Sequence, residues 1–178
     1  MPGRPRTAPP EARMRVLAIS GWSGAGKTTL LTALIPRFRQ RGLTVSSIKH
    51  AHHNAGLDQP GKDSFRHAEA GAQEVILTTA DGFALFSRTP TKLGALLKHL
   101  TPVDLVIIEG FKQEPVPRLA VFRPALGKPV PWPDEHLRAV ASDTPLPDCP
   151  VPVLALDRPD EIVDFLIPVL GLNKPACA

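Results

Sequence analysis

The chain has 178 residues, 43% of them hydrophobic, and its formal net charge is +4. This size and composition predict one ordinary soluble domain with its own core, and no apolar run approaches the roughly 18 residues of a membrane helix. The Lys and Arg residues are scattered and Tyr is absent, so no stacking platform for single-stranded nucleic acid is predicted.

The two ends of the chain are expected to be short tails around a single domain over residues 14–171. Residues 1–13 lack the apolar segment of a signal peptide, and we interpret them as a disordered tail. Nothing directs export, so the cytoplasm is the expected compartment. Residues 172–178 are the second predicted tail. Cys149 and Cys177 form no CxxC pair, which favours free thiols over a disulfide or a zinc site.

Apolar patterning in the first half predicts alternating strands and helices. RVLAIS, residues 15–20, is a short apolar run typical of a buried strand. Apolar residues at helical spacing predict a helix over residues 27–42, with Pro36 as a kink or a break. The next predicted elements are a strand over 44–48, a polar loop over 49–62 and a helix over 63–72. Asp63 or Ser64 is the expected N-cap of that helix.

The second half continues the alternation with shorter strands. Residues 74–79 and 83–88 flank the turn signal Ala80-Asp81-Gly82, which predicts a hairpin whose second strand is the antiparallel exception in the sheet. Ten prolines between positions 115 and 152 predict short strands joined by stiff loops. The remaining predicted elements are helices over 93–100 and 160–170 and strands over 103–110, 118–123, 137–142 and 151–156. This order predicts an α/β fold with helices on both faces of a mostly parallel sheet.

The stretch GWSGAGKT, from Gly21 to Thr28, matches the phosphate-loop pattern G-x4-G-K-[ST] without a mismatch. It follows a predicted strand and opens a predicted helix, which is the setting that this pattern requires. The backbone N–H groups of such a loop and the N-terminus of its helix bind phosphate oxygens. Lys27 is expected to reach the β- and γ-phosphates, and Thr28 is expected to ligate Mg²⁺.

A magnesium nucleotide needs a second carboxylate, usually at the end of an apolar strand. The run VDLVIIEG offers Asp104 at its start and Glu109 at its end, and five residues of strand separate the two by about 16 Å. Only one of them therefore reaches the phosphates. Because parallel sheets bind ligands at the carboxyl ends of their strands, Glu109 is the predicted metal and catalytic carboxylate. Asp104 is expected to be a strand-edge or capping residue.

The stretch IKHAHHNAGLDQPGKDSFR, residues 48–66, leaves the strand that follows the phosphate-loop helix. Lys49 and His50 therefore lie at the carboxyl edge of the predicted sheet, where they are expected to meet a triphosphate. Asp63 is predicted to ligate Mg²⁺ through water or to orient an attacking group. The H-x-H-H pattern that begins at His50 leaves two alternatives open, a transition-metal site and solvated loop histidines.

Four stretches occur in the order GWSGAGKTTL, IKHAHH, PGKDSFRHAEAGA and DLVIIEGFKQEPVPRLAVFR. Together they resemble the molybdopterin-guanine dinucleotide biosynthesis protein B (MobB) family. The resemblance implies a P-loop NTPase-type fold of three layers, with a strand-rich and proline-rich dimerisation region. It also implies GTP binding with weak hydrolysis, a homodimer, and a supporting role in molybdenum cofactor maturation. There the chain is expected to assist the guanylyltransferase that joins GMP to molybdopterin.

The resemblance also carries site residues over by position. The nucleotide-binding residues that it implies in the loop are Ser23, Gly24, Ala25, Gly26, Lys27, Thr28 and Thr29. The family's characteristic residues outside the loop correspond to His50, His53, Asp63, Ser64, Arg66, Glu109, Gly110 and Lys112. The catalytic prediction comprises Lys27, Asp63 and Glu109, and the Mg²⁺ ligands are Thr28, Asp63 and Glu109.

Recognition of the base has no standard motif in this chain. The segment Asn173-Lys174-Pro175-Ala176 has Ala where the guanine-reading pattern N-K-x-D needs Asp, and it falls in the C-terminal tail. Asp143, which ends the predicted strand LRAVAS, is the better-placed candidate for a base contact. The expected preference for GTP over ATP therefore rests on the resemblance.

Two other functions share the same phosphate loop. A small-molecule kinase needs a cationic lid that closes over the phosphates, and residues 112–135 supply four cations, at Lys112, Arg118, Arg123 and Lys128. Six prolines stiffen that segment, which favours a rigid dimer or partner surface over a hinged lid. A module that binds nucleotide only for structure is the third possibility, and the intact set of predicted catalytic residues disfavours it.

Overall fold

The computed structural model describes residues 14–51, 58–111 and 113–172. All the predicted strands and helices are present within these ranges, with ends that differ from the prediction by a few residues at most. In chain order they are β1 (Arg15–Ser20), α1 (Lys27–Gln40), β2 (Val45–Lys49), α2 (Asp63–Glu69), β3 (Glu74–Thr79), β4 (Gly82–Ser87), α3 (Leu93–His99), β5 (Leu105–Glu109), β6 (Arg118–Phe122), β7 (Leu137–Ser142), β8 (Val153–Ala155) and α4 (Pro159–Val169). A short 3₁₀-helix over Pro124–Leu126 was not predicted.

Six of the strands form one sheet in the order β2-β5-β1-β6-β7-β8, and every neighbouring pair is parallel. The central strands are apolar runs rather than alternating ones, as expected for strands that are covered on both faces. All five residues of β5 are buried. Chain connections from β1 lead first to β2 on one side and later to β6, β7 and β8 on the other. The predicted α/β fold with a mainly parallel sheet is therefore confirmed, and β1 lies beside the switch point where such sheets bind ligands.

Helices α1 and α4 pack together against one face of this sheet. Their fully buried side chains include Leu34 and Phe38 from α1 and Ile162 and Leu166 from α4. Helix α1 runs through Pro36, so of the two predicted alternatives the break is wrong and the kink stays a prediction. The apolar stripe of α1 remains on the core through that turn, and its burial outweighs the one backbone hydrogen bond that proline cannot donate.

Residues 51–99 form a second compact unit. Strands β3 and β4 pair in antiparallel register, and among the described residues they pair only with each other. The predicted antiparallel strand is thus confirmed, but its placement in the main sheet is wrong. Ile76, Leu77 and Phe83 are exposed on the two faces of the hairpin, which is the pattern of a ribbon without a covering layer.

Helix α2 in the same unit begins differently from the prediction. Lys62 is its N-cap, and Asp63 is the first helical residue, so neither Asp63 nor Ser64 caps it. The Ser64 hydroxyl instead donates to Asp58 Oδ1 at 3.0 Å, on the segment before the helix.

The predicted tail over residues 1–13 lies outside the described residues, as does the second predicted tail apart from Leu172. The prediction of one domain over residues 14–171 stays a prediction. None of the described helices has the length and apolar character needed to cross a bilayer.

Candidate functional site

The carboxyl ends of the parallel strands meet at one edge of the six-stranded sheet and carry most of the predicted site residues. Strand β1 runs into the phosphate loop, β2 ends at Lys49 and β5 ends at Glu109. On the other side of β1, Arg123 follows β6 and Asp143 follows β7. The parallel topology therefore gathers residues that are far apart in sequence at a single edge.

The phosphate loop between β1 and α1 depends on its glycines. Gly21, Gly24 and Gly26 have φ angles of 141°, 79° and 96°, values that L side chains rarely adopt. A β-carbon at Gly21 would also collide with the carbonyl oxygen of Val121. Gly26 is the N-cap of α1, so the N–H groups at the start of that helix belong to the loop. Such donors, together with the helix dipole, form an anion-binding site.

Lys27 lies at the loop whose bound phosphates it is predicted to contact. Its Nζ donates to the carbonyl oxygen of Trp22 at 2.9 Å, five residues earlier in the chain. This bond joins the start of the loop to the first residue of α1. The ammonium is therefore held at the loop, where a phosphate chain bound by the N–H groups would meet it.

Thr28 and Glu109 are in direct contact. The Thr28 hydroxyl lies 3.1 Å from each carboxylate oxygen of Glu109, and Lys49 Nζ lies 3.7 Å from Glu109 Oε2. Glu109 is buried, with 8% of its surface exposed, whereas the Lys49 side chain is 61% exposed. Hydroxyl and carboxylate oxygens are the hard donors that Mg²⁺ prefers, so the pair fits the metal role that the sequence predicts for it.

Asp104 lies before the first residue of β5, at the opposite end of that strand from Glu109. Its Oδ2 accepts hydrogen bonds of 2.7 Å from both the backbone N–H and the hydroxyl of Thr44, and its own N–H donates to the Thr44 hydroxyl at 2.9 Å. Asp104 therefore ties the start of β5 to the residue before β2. This position fits the expectation of a strand-edge or capping residue.

The chain after Glu109 turns sharply against the end of β2. Gly110 and Phe111 have φ angles of 97° and 46°, and a β-carbon on Gly110 would approach His50 Cβ to 2.9 Å. The His50 N–H donates to the Glu109 carbonyl at 2.8 Å, and its ring lies 5.1 Å from that of Phe111. Only glycine fits at position 110, because the two strand ends are in contact there.

A cavity of about 910 Å³ opens on the other side of the phosphate loop. Its volume is within the usual range for small-molecule sites. Part of its wall comes from the loop and α1, and the rest comes from the segments after β6, β7 and β8. Its lining residues include Gly26, Thr29, Arg123 and Asp143.

Arg123 joins the phosphate loop to this cavity, whereas the sequence predicts only a possible lid cation at this position. Its Nε donates to the Ala25 carbonyl at 3.1 Å, and its Nη1 donates to Asp143 Oδ2 at 3.1 Å. The strand-end rule that selected Glu109 also selects Arg123, because it directly follows β6. The sequence therefore contains the signal that identifies this residue.

The proline-rich segment after β6 is tied down at several points. The Trp22 indole N–H donates to the Pro129 carbonyl at 3.0 Å, and Lys128 Nζ lies 6.0 Å from the centre of the Trp22 ring. Arg118 and Asp134 form an ion pair of 2.6 Å whose side chains are 11% and 17% exposed. These contacts leave little freedom for hinged closure. Strand β6, just before this segment, lies between β1 and β7 and therefore offers no exposed sheet edge.

Several other predicted site residues lie in the second unit or outside the described residues. Asp63 belongs to the second unit, where its 90% exposed carboxylate lies 3.8 Å from Arg66 Nη1. His52, His53 and Lys112 lie outside the described residues. In the described part of the chain, no group of three or more His, Cys, Asp or Glu side chains has the geometry of a metal site. The roles of Asp63 and of the histidines stay predictions.

Comparison with known proteins finds relatives whose descriptions agree with one another. A family model described as molybdopterin guanine dinucleotide synthesis protein B, MobB, matches residues 16–143. The molybdopterin-guanine dinucleotide biosynthesis adapter protein of Haemophilus influenzae is 44% identical over 155 residues, covering 85% of this chain and 86% of the relative. The protein of the same name from Escherichia coli K12 is 38% identical over 160 residues, covering 85% and 91%.

Solved structures share the fold. Bacillus subtilis MobB superposes with a TM-score of 0.69 at 24% identity, covering 88% of this chain and 98% of that one. A crystal structure of molybdopterin-guanine biosynthesis protein B superposes with a TM-score of 0.65 at 27% identity, covering 88% and 99%. The likeness extends over nearly the whole length of both solved chains.

Proposed function

Because the chain belongs to the MobB family, molybdopterin guanine dinucleotide synthesis protein B, we propose that it is a GTP-binding accessory protein with weak GTPase activity. An accessory role in molybdenum cofactor biosynthesis follows from its family membership. The finer proposal adds four elements: GTP as the nucleotide, Mg²⁺ as its metal, a homodimeric state, and assistance to the guanylyltransferase that forms the dinucleotide cofactor.

The contact between Thr28 and Glu109 is the observation that carries the nucleotide proposal. A phosphate loop alone binds anions, but hydrolysis also needs a carboxylate beside the loop hydroxyl. The structure brings the two within 3.1 Å from positions 81 residues apart. When bound there, Mg²⁺ neutralises charge on the β- and γ-phosphates. In the proposal Thr28 and Glu109 hold the metal, and the role of Asp63 stays a prediction.

Slow hydrolysis is favoured over transfer to a small-molecule acceptor. A kinase needs mobile cations that close over the phosphates. Within the described part of the lid candidate, Arg118 is paired in the interior with Asp134, and Lys128 lies against Trp22. A segment held in this way suits a fixed surface. The kinase alternative is therefore the weaker proposal.

Asp143 is the proposed reader of guanine. It lines the cavity together with Thr29 of the phosphate loop, so a nucleoside attached to the phosphates would extend toward it. The guanine ring presents two adjacent N–H donors, and a carboxylate accepts two parallel hydrogen bonds. Asp143 Oδ2 accepts from Arg123, and Oδ1 has no hydrogen-bond donor among the described residues. Adenine lacks this pair of donors, which supports GTP over ATP.

The homodimer belongs to the proposal as well. A two-stranded ribbon is marginally stable by itself in water, and the β3–β4 hairpin exposes Phe83 at 76% and Ile76 at 62%. Pairing with the same hairpin of a second copy would cover these side chains. This moves the proposed contact away from residues 115–135, where the sequence had suggested it.

A pull-down with the guanylyltransferase tests the accessory role. The purified chain is immobilised and incubated with the enzyme in GTP, in GDP and without nucleotide, with and without molybdopterin. We expect retention of the enzyme to depend on GTP in the parent and to be lost in Lys27→Ala. Equal retention by the parent under all three nucleotide conditions would remove the switching role, and no retention under any of them would remove the partnership.

A further inference from the structure

The two sides of the phosphate loop carry different groups, and one of these groups has no assigned role. In the sheet order, β5 and β6 flank β1 on opposite sides. Glu109 ends β5 beside Thr28, so the side of β5 is the metal side. Arg123 follows β6 and lines the cavity proposed for the nucleoside. Arg123 therefore lies where the phosphate chain meets the nucleoside.

The hydrogen bonds of Arg123 leave one end of its guanidinium free to bind a ligand. Nε is held by the Ala25 carbonyl and Nη1 by Asp143 Oδ2. Nη2 has no hydrogen-bond acceptor among the described residues, and a β-carbon placed on Gly26 would lie 3.7 Å from it. The free end thus lies over the N-cap of α1, at the anion site. Two fixed bonds orient the planar group before any ligand arrives.

From this geometry we propose that Arg123 binds the α-phosphate of the nucleotide through Nη2 while holding Asp143 in place for the base. In a phosphate loop, the backbone N–H groups cradle the α- and β-phosphates, and the lysine reaches the β- and γ-phosphates. An arginine on the nucleoside side therefore meets the first phosphate. In this arrangement Arg123 contacts the α-phosphate, and Lys27 contacts the β- and γ-phosphates. This inference rests on the proposed guanine-nucleotide function.

These separate phosphate contacts predict how each variant changes the affinities for GTP, GDP, GMP and guanosine. A charge-assisted hydrogen bond removed by Arg123→Gln weakens binding by roughly 10- to 150-fold. Because the α-phosphate is common to GTP, GDP and GMP, the loss is the same for all three ligands. Guanosine lacks the phosphate, so its affinity falls by less and reports only the loss of the bond that holds Asp143. Lys27→Ala gives the contrasting pattern, with a larger loss for GTP than for GDP.

The experiment measures the four affinities by displacement of a fluorescent GDP analogue from the full-length chain. The variants are Arg123→Gln, Arg123→Lys and the matched control Arg138→Gln, whose guanidinium lies at the start of β7 and bonds to the carbonyl of Glu135. We expect Arg123→Lys to recover part of the loss in all three nucleotides, since it keeps the charge without the fork. We expect Arg138→Gln to match the parent for every ligand.

Three outcomes overturn this inference. A loss that grows from GMP to GDP to GTP shows that Arg123 acts by shaping the loop through the Ala25 carbonyl. Unchanged affinities in both Arg123 variants, with normal binding by the parent, remove the phosphate contact while leaving the proposed function intact. If the parent binds none of the guanine nucleotides, the proposed function fails and the inference fails with it.

Discussion

Replacing Glu109 by Gln is expected to leave nucleotide bound and to remove most of the Mg²⁺-dependent hydrolysis. The amide keeps the shape of the side chain and an oxygen for the Thr28 hydroxyl, which lies 3.1 Å from each carboxylate oxygen. It removes one negative charge from a site that is only 8% exposed. The backbone N–H groups and Lys27 still hold the phosphates, so binding persists.

The size of the effect follows from the charge that is lost. At a separation of about 4 Å and an effective dielectric constant of about 20, one unit charge contributes about 4 kcal/mol, and a charge-assisted hydrogen bond contributes at least about 1.5 kcal/mol. These bounds correspond to roughly a 10- to 1,000-fold loss of hydrolysis rate. Lys49 adds little to this, because ion pairs of exposed lysines are worth about 1 kcal/mol or less.

Single-turnover hydrolysis of labelled GTP, with calorimetric binding measured in parallel, provides the assay. The matched control is Asp104→Asn, at the other end of β5, which keeps the oxygen that accepts from Thr44. Hydrolysis by the control is expected to stay within a few-fold of the parent. If Asp104→Asn abolishes turnover while Glu109→Gln retains it, the metal site is not at the carboxyl end of β5 and the reasoning fails.

Four further outcomes are expected. Lys27→Ala weakens GTP binding by roughly 10- to 150-fold and GDP binding less, and equal GTP affinities in variant and parent by calorimetry would contradict this. Asp134→Ala removes the ion pair with the largely buried Arg118 and lowers the free energy of unfolding by about 3–5 kcal/mol; a denaturant midpoint equal to that of the parent would contradict it. Light scattering at tens of micromolar gives a dimer mass for the parent and a monomer mass for Phe83→Asp, and a monomeric parent removes the dimer. The pKa of Asp160 is held below its ordinary value of 3.8 by the hydrogen bond from Arg37. Since the folded pKa is the lower one, the ionised carboxylate stabilises the fold above the unfolded pKa, and this stabilisation is lost as pH falls through the folded pKa. A carboxyl resonance that titrates at or above 3.8 would contradict that assignment.

The predictable part of the site is the part that strand topology dictates. The strand-to-helix setting of the phosphate loop and the choice of Glu109 over Asp104 both follow from the rule that parallel strands present ligands at their carboxyl ends. The same rule applies to Arg123, yet its neighbours in the chain gave no motif to draw attention to it. Its hydrogen bonds to Ala25 and Asp143 depend on the adjacency of β6 to β1 and β7, which only the strand order reveals.

The predictions that were wrong concern features that tertiary contacts decide. The break at Pro36 did not occur because Leu34 and Phe38, on either side of it, are buried in the core. The hairpin strand was assigned to the main sheet because alternation along the chain does not show which edges meet. The sequence predicts Asp63 or Ser64 as the N-cap of α2, but Lys62 is the N-cap. In each case the local sequence predicted the helix or strand correctly but did not show which residues it contacts.

Calorimetric titration of the full-length chain with GTP and with ATP, each with and without Mg²⁺, tests the central claim most directly. We expect saturable binding of one GTP per chain, tighter in the presence of Mg²⁺, and at least about tenfold weaker binding of ATP, the equivalent of about 1.4 kcal/mol. Absence of GTP binding at millimolar concentration, or equal affinities for GTP and ATP, would contradict it.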